Sequence, residues 1–318
     1  MTFQIGGMPM QFHINIHREI PKGYLKQAVL TRRKVGTNIE WSVSFTLEEE
    51  TPVPVAALSD GVAALDLGWR IIDDRMRIGV LVAADRREEI WLPDKVLASK
   101  RHAKELQSKR DTLFNETKKK VLEMLPSDLP AELKTNWDKA RQPRLIKIMR
   151  HLKDSGHFLA EELTKWHAVD RKGFNEISGL TARALRHRKW YFYNKANDIF
   201  DTFGIAVVEN LNLAEMARKE KEDGTANELI QAARGYRTIA AIGEFLKILK
   251  DVAIKRNGRV EERQAAHTTD KCHVCGKICQ PPDRSKLYWI CEHCGSEWDQ
   301  DVNAAINIYT DYKTSETA

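Results

Sequence analysis

Hydrophobic alternation is sharpest in NIEWSVSFTL, Asn38–Leu47, where Ile39, Trp41, Val43, Phe45 and Leu47 fall on one face and polar residues on the other. A period of two over ten residues predicts a half-buried strand. Tyr24–Lys34 is placed to pair with it across a turn at Val35–Thr37, where Gly36 can take a positive φ. The Pro-rich stretch TPVPVAALSDG, Thr51–Gly61, then reads as a linker.

Beyond the linker the alternation gives way to short apolar runs. Val62–Leu67, Met76–Ala83 and Glu89–Leu92 are strands close enough in sequence to be antiparallel neighbours. From Lys95 to about Asp201 the pattern is helical, with breaks expected at Pro126, Pro130 and Pro143. A strand returns at Ile205–Glu209, followed by a polar loop, one helix from about Asn227 to Asn257 and a strand at Arg259–Gln264. A short last helix follows Trp298, its Ala304 and Ala305 suited to close packing on a sheet. Three strands, a helical insertion, a strand, a helix, a strand and a final helix is the order of an α/β, ribonuclease H-like fold. The expected domains are a small β module at 1–55, the α/β domain at 56–267 with its insertion at about 95–201, a Cys-rich ribbon at 268–297, and the last helix and tail at 298–318.

Three carboxylates interrupt this pattern where they are costly. Asp66 is the one charge inside the apolar run of GVAALDLGWR, Glu209 has the same position in GIAVVENLNL, and Asp301 opens the last helix. An apolar strand tolerates a carboxylate poorly unless a cation or hydrogen bonds offset its desolvation. Taken singly, Asp66 and Glu209 could be strand-end turn residues and Asp301 a helix cap. Together, in this order on one fold, they are the donors of a divalent metal site, in which two Mg²⁺ about 4 Å apart would activate a water and stabilise the leaving oxygen of a phosphodiester. Asp299 competes for a ligand role, but its place two residues upstream favours capping the helix or facing solvent.

A second metal signal precedes that helix. Cys272 and Cys275 in CHVC and Cys291 and Cys294 in CEHC are separated by fifteen residues, the spacing of a structural four-thiolate zinc site with no open position. Gly276 and Gly295 follow the second Cys of each pair and supply the knuckle turns. His273 and His293 read as exposed bystanders, and Cys279 as an unreactive extra thiol. Thiolates held by metal indicate a reducing, cytoplasmic setting.

Composition narrows the classes without deciding among them. In 318 residues, 42% hydrophobic and 30% charged positions describe a globular chain. No apolar run reaches eighteen residues and the N-terminus lacks the pattern of a secretory signal, so no membrane is expected. The net charge of +6 is compatible with a polyanionic partner. Its distribution says more: Lys95–Lys120 carries nine Lys or Arg, Lys100, Arg101 and Lys104 among them, against Glu105, Asp111 and Glu116. Thr181–Asp198 sets Arg183, Arg186, Arg188 and Lys189 beside Trp190, Tyr191, Phe192 and Tyr193. Several of these basic residues are expected to meet nucleic acid, and most of the aromatics to form a buried stripe.

LDLG around Asp66, VVENLNL around Glu209, AARGYR at Ala232–Arg237, HTTDKCHVCG, CEHCG and DQDVNAAINI at Asp299–Ile308 resemble the RuvC-like nuclease domain of TnpB proteins and type V CRISPR effectors. The Asn38–Leu47 strand resembles the end of that family's wedge domain. Where the family reads GxDxG, this chain has ALDLG, with Ala64 in place of the first glycine. The resemblance implies an RNA-guided, Mg²⁺-dependent DNA endonuclease with Asp66, Glu209 and Asp301 as its catalytic acids. Its partners would be DNA, a guide RNA and either a second copy or another subunit. It also implies a shortened N-terminus, since family members carry another wedge segment and a helical recognition lobe before this point. The alternative is a guide-dependent protein, a repressor or remnant, that binds nucleic acid on the same fold without cutting.

Overall fold

The computed structural model describes residues 2–5, 8–11, 13–16, 23–48, 60–127, 129–153, 156–210, 231–263, 268–279 and 286–317. Most of the expected linker, the polar loop 211–230, Gln264 and His267 lie outside them. The chain divides into two units, one formed by Met1–Lys34 and Asn38–Pro54, the other by Val35–Thr37 and Val55–Ala318.

In the first unit, β1 (Thr2–Ile5) pairs antiparallel with β2 (Met8–Gln11), and β3 (Tyr24–Val35) and β4 (Asn38–Glu48) form a second two-stranded sheet. Gly36 turns between β3 and β4 with φ +63°. The alternating face of β4 is only half covered. Val43, Phe45 and Leu47 are partly buried, whereas Ile39 and Trp41 are 49% and 56% exposed. A two-stranded ribbon needs a second layer to bury an apolar face, and no described residue of this unit supplies it there.

The second unit is built on a mixed sheet of β5 (Val62–Ile72), β6 (Arg75–Ala83), β7 (Arg87–Trp91), β8 (Ile205–Glu209) and β9 (Arg259–Arg263). Their order is β7-β6-β5-β8-β9, with β5, β6 and β7 antiparallel neighbours and β8 and β9 parallel to β5. The first strand runs five residues past the expected Leu67. It ends in a tight turn at Asp73 and Asp74, whose φ values of 45° and 64° are those of a hairpin twisted in the sense of its strands.

Side-chain alternation sorts the sheet's two faces. Ala63, Leu65 and Leu67 of β5, with Ala206 and Val208 of β8, enter the main core. That core is closed by α1 (Asp94–Glu123), α4 (Phe158–Thr202), α5 (Gln231–Ala240) and α6 (Ile242–Lys255). Val62, Ala64 and Val207 face the other way, with Ile308 and Tyr312 of α7 (Gln300–Thr317). Val80 and Val82 of β6 meet Val302 and Ala305 on that same face. Ala304 and Ala305 are fully covered, as their small size allows. At eighteen residues, α7 is longer than the short helix expected.

The insertion has a core of its own. α4 runs for 45 residues, about 67 Å at helical rise. Its first turns pack with the far half of α1, α2 (Ala131–Lys134) and α3 (Gln142–Leu152) around Phe114, Leu145, Ile148, Leu163 and Trp166. Pro126 and Pro130 fall between α1 and α2, but Pro143 starts α3 in place of breaking a helix. The single helix expected at 227–257 is two helices, divided at Ala241 with φ 47°. Arg188 explains the division: its Nη1 donates to the carbonyls of Thr238 and Ile239 at 2.8 and 3.0 Å, and its Nη2 pairs with Glu244. A guanidinium therefore takes the orphan carbonyls that end α5.

Candidate functional site: an acid cluster held by arginine

The alternation that builds the core also aims the acids. Asp66 follows Ala64 by two residues and Glu209 follows Val207 by two, so both fall on the face that α7 covers. β5 and β8 are parallel in the register Ala64↔Val207 and Leu65↔Val208. One further step sets Asp66 beside Glu209. Gly79 of β6 lies against this point, where a Cβ would come within 2.7 Å of the Asp66 carbonyl oxygen. Glycine thus lets β6 close on the strand that carries Asp66.

Asp301 enters from the first turn of α7. Asp299 ends β10 (Glu297–Asp299) and caps the helix, its Oδ1 accepting from the amides of Asp301 and Val302 at 2.9 and 3.3 Å. The expected cap is therefore present, but Asp299 is buried and does not face solvent. Burial, reinforced by the negative charges of Asp301 and Glu209, pushes the Asp66 carboxyl well above its usual range, despite opposing pulls from Arg77 and Arg70. Burial alone raises Glu209. The three acids predicted from sequence are thus electrostatic neighbours, though their oxygens are not among the metal-ligand groups that gather within 4.8 Å.

Arg77 is the residue that the sequence reading missed. Only 2% exposed, it projects from β6 into this face. Its Nη1 and Nη2 donate to Asp299 Oδ2 and Oδ1 at 2.7 and 2.9 Å, a bidentate pair. Nη2 also reaches Asp301 Oδ2 at 2.5 Å and Nη1 reaches Glu89 at 3.0 Å. Burial pulls the guanidinium's pKa down, but the hydrogen bonds and charges of Asp299 and Asp301 outweigh it and leave it raised. Arg70 adds a second cation, with Nε and Nη2 each 3.4 Å from Asp301. A cleft of about 500 Å³, with Arg87, Glu89, His273, Tyr288, Trp298 and Asp299 in its wall, opens beside the cluster.

The four predicted cysteines converge. Cys272 Sγ lies 3.8 Å from Cys294 Sγ, and Cys275 Sγ 3.7 Å from Cys291 Sγ. Thiolates bound at about 2.3 Å to one tetrahedral ion would be about 3.8 Å apart, so the soft donors and the spacing both fit a metal such as zinc. Gly276 and Gly295 turn the knuckles with φ 72° and 73°. Cys279, the extra thiol of the ribbon, has its sulfur 3.4 Å from that of Cys291. His293 is exposed as expected. His273 is not, since its backbone N–H and Nδ1 both lie 2.9 Å from Asn303 Oδ1. Asn303 Nδ2 already donates to the carbonyls of Thr269 and Lys271 at 3.1 and 2.8 Å. Its oxygen is therefore the acceptor, and His273 carries the proton on Nδ1.

Residues 243–308, which hold the ribbon and the start of α7, match the family model "Cas12f1-like, TNB domain". The CRISPR-associated DNA-binding protein Cas12m of Thermanaerosceptrum fracticalcis is 32% identical, covering 94% of this chain and 52% of that protein. Its counterpart in Allomeiothermus silvanus is 30% identical, covering 93% and 57%. The TnpB-like protein L79 of Acanthamoeba polyphaga mimivirus is 26% identical over 56% of this chain and 32% of its own length. The chain is TnpB/Cas12-like. It spans about half the length of the curated Cas12m relatives it matches. A Cas12f1–sgRNA–target DNA complex aligns over 89% of this chain and 44% of that one, with TM-score 0.44 and 16% identity.

The basic residues divide by burial. Lys100, Lys104, Arg183, Arg186 and Lys189 are exposed on α1 and α4, whereas Arg101 donates to the carbonyl and carboxylate of Asp74 at 2.9 and 3.0 Å. Arg188, expected at a nucleic-acid surface, is instead 6% exposed and spent on α5 and Glu244. The aromatics follow the buried stripe, with Phe192 fully covered and Tyr191 and Tyr193 against the core. Trp190 departs from it, 59% exposed and stacked on His187 with centroids 5.7 Å apart.

Proposed function

We propose that this chain is the ribonuclease H-like (RuvC) part of an RNA-guided DNA-binding protein that, with its acid cluster held by arginine, engages its target without cutting it. The strand order β7-β6-β5-β8-β9, with α7 on one face and the long insertion between β7 and β8, supports the fold assignment. That the two Cas12m relatives are named CRISPR-associated DNA-binding proteins supports DNA as the partner, and the CRISPR association supports a guide RNA. The observation that carries the non-cutting reading is the salt bridge of Arg77 to both Asp299 and Asp301. A carboxylate engaged by a buried guanidinium is not available to a metal without breaking that pair. A structural zinc in the Cys272, Cys275, Cys291 and Cys294 cluster completes the lobe.

A metal-dependent DNA endonuclease is the second reading, favoured by the convergence of Asp66, Glu209 and Asp301 on one face. Their oxygens are the hard donors that Mg²⁺ takes. Bound there, Mg²⁺ would supply an activated water and charge stabilisation at a departing 3′ oxygen. For this chain's residues the two readings differ at one atom pair, Arg77 Nη2 and Asp301 Oδ2.

The test measures DNA binding and Mg²⁺-dependent cleavage together, on single- and double-stranded DNA, with and without RNA that copurifies, for wild type and the Asp66→Ala, Glu209→Ala and Asp301→Ala variants. Binding by wild type with no cleavage supports the proposal. Cleavage that each substitution abolishes overturns it in favour of the nuclease.

A further inference from the structure

We infer that Arg77 and Arg70 form the standing cation of the acid cluster and set its affinity for divalent ions, which enter only by taking Asp301 from them. The inference deepens the reading above and rests on it for the assignment of the three acids. Asp66, Glu209, Asp301, Asp299 and Glu89 gather five carboxylates near two guanidinium groups, so the cluster keeps an excess of negative charge even with both arginines in place. Such a site attracts cations. What it offers them depends on which carboxylate can move.

The two halves of the Arg77 clamp differ in this. Asp299 is 7% exposed at its side chain, pairs bidentately with Arg77 and caps α7, so releasing it would undo the helix start. Asp301 is 22% exposed at its side chain, which Arg77 and Arg70 hold by hydrogen bonds. Rotation of the Asp301 side chain would release it from Arg77 while Arg77 stays on Asp299, its own side chain being only 1% exposed. Asp301 is then the exchangeable ligand and Asp299 the fixed anchor. Arg70 and Arg77 are Cα partners across β5 and β6, and like charges in that relation repel. The pair therefore persists because the Asp301 carboxylate bridges the two guanidinium groups, with Asp299 neutralising Arg77 from its other side.

The experiment is Mn²⁺ binding by the purified full chain, read from the electron paramagnetic resonance signal of free Mn²⁺, for wild type, Arg77→Gln, Arg70→Gln, and each of these combined with Asp66→Asn. Removing a fixed positive charge beside the ligands should tighten Mn²⁺ binding about tenfold in Arg77→Gln and several-fold in Arg70→Gln. Both gains should disappear with Asp66→Asn. Circular dichroism reports folding, and if Arg77→Gln does not fold, Arg70→Gln decides, since Arg70 is partly exposed. Affinity equal to or below that of wild type in the folded arginine variants overturns the inference. So does tightening that survives Asp66→Asn, because the ion would then sit on Asp299 and Glu89. Wild-type cleavage, or failure to bind DNA, would instead overturn the functional reading and leave the Mn²⁺ comparison intact.

Discussion

Arg70 and Arg77 stand opposite each other across β5 and β6, and both guanidinium groups end on Asp301, a residue more than 220 positions away. The pairing fixes the start of α7 against the sheet as well as its charge. Arg77→Met should therefore destabilise the chain by about 3 kcal/mol, because it leaves Asp299 buried without a counterion. Asp299→Asn in the same chain should recover part of that loss. Urea unfolding of the single and double variants checks both, and a single variant as stable as wild type would show that the clamp contributes nothing to folding.

The cluster also makes stability depend on pH in an unusual sense. The Asp66 carboxyl is raised by burial and by Asp301 and Glu209, so the folded chain disfavours its ionisation more than the unfolded chain does. As pH rises from the unfolded carboxylate pKa through the raised folded one, this group costs stability, and the cost is fully present above the folded value. Asp66→Asn removes it. Without divalent metal, that variant should melt above wild type near neutral pH. The advantage should shrink below the unfolded carboxylate pKa. Melting curves across pH decide it, and equal midpoints near neutrality would contradict the penalty assigned to Asp66.

Zinc content tests the ribbon. Each of Cys272→Ser and Cys291→Ser should lose the metal and loosen the C-terminal lobe, since ligand binding is coupled to folding of such knuckles. Cys279→Ser should keep it, because the other four sulfurs already satisfy a tetrahedral ion. Elemental analysis gives the answer, and a folded wild-type chain without zinc would refute the site.

On the long helices, replacing Lys100, Lys104, Arg183 and Lys189 by Gln should weaken nucleic-acid affinity and lower the slope of its logarithm against log salt. The decrease is about 0.7–0.9 for each residue that meets a phosphate. Arg188→Ala should act differently, lowering stability by about 3 kcal/mol through Glu244 and the open end of α5, with the slope unchanged. Binding titrations at several salt concentrations separate the two. A flat slope change in the fourfold variant would assign those lysines and arginines to solvent.

Arg188 also shows where sequence reading reached its limit. A carboxylate in an apolar strand and two CxxC pairs at fixed spacing are local signals, and the fold brings each set of residues together. The role of Arg188 is set by carbonyls fifty residues away, and within HRKWYFY it looks like any other basic residue. Arg77 is hidden in the same way, between Arg75 and Met76 on one side and Ile78 on the other, with partners that only the sheet and α7 bring together. One signal was available. If Met76 and Ile78 enter the helical core, Arg77 must point at the opposite face, the one that Asp66 occupies. The break at Ala241 had no comparable sign, since AAIGEFL reads as uninterrupted helix until Arg188 is placed.

The ribbon and the acid helix are joined by two asparagines, and this coupling gives the last prediction. Asn303 is fully buried and Asn307 nearly so. Asn307 Nδ2 donates to Thr268 and Lys271 carbonyls at 2.7 and 2.6 Å, beside the carbonyls that Asn303 already holds. Lys271 immediately precedes Cys272, so the first knuckle is hung on the same helix whose first turn carries Asp301. Asn303→Leu keeps the volume but leaves the carbonyl of Thr269 and the His273 donors without this partner, at a cost of about 1–3 kcal/mol for each buried group left unpaired. The expected result is faster zinc loss to a chelator together with a weaker hold of Arg77 on Asp301, seen as a change in Mn²⁺ affinity. His273→Ala removes only the ring donor and should give a smaller effect in the same direction. Faster zinc release with Mn²⁺ binding unchanged would show that the ribbon and the acid cluster are neighbours without being coupled.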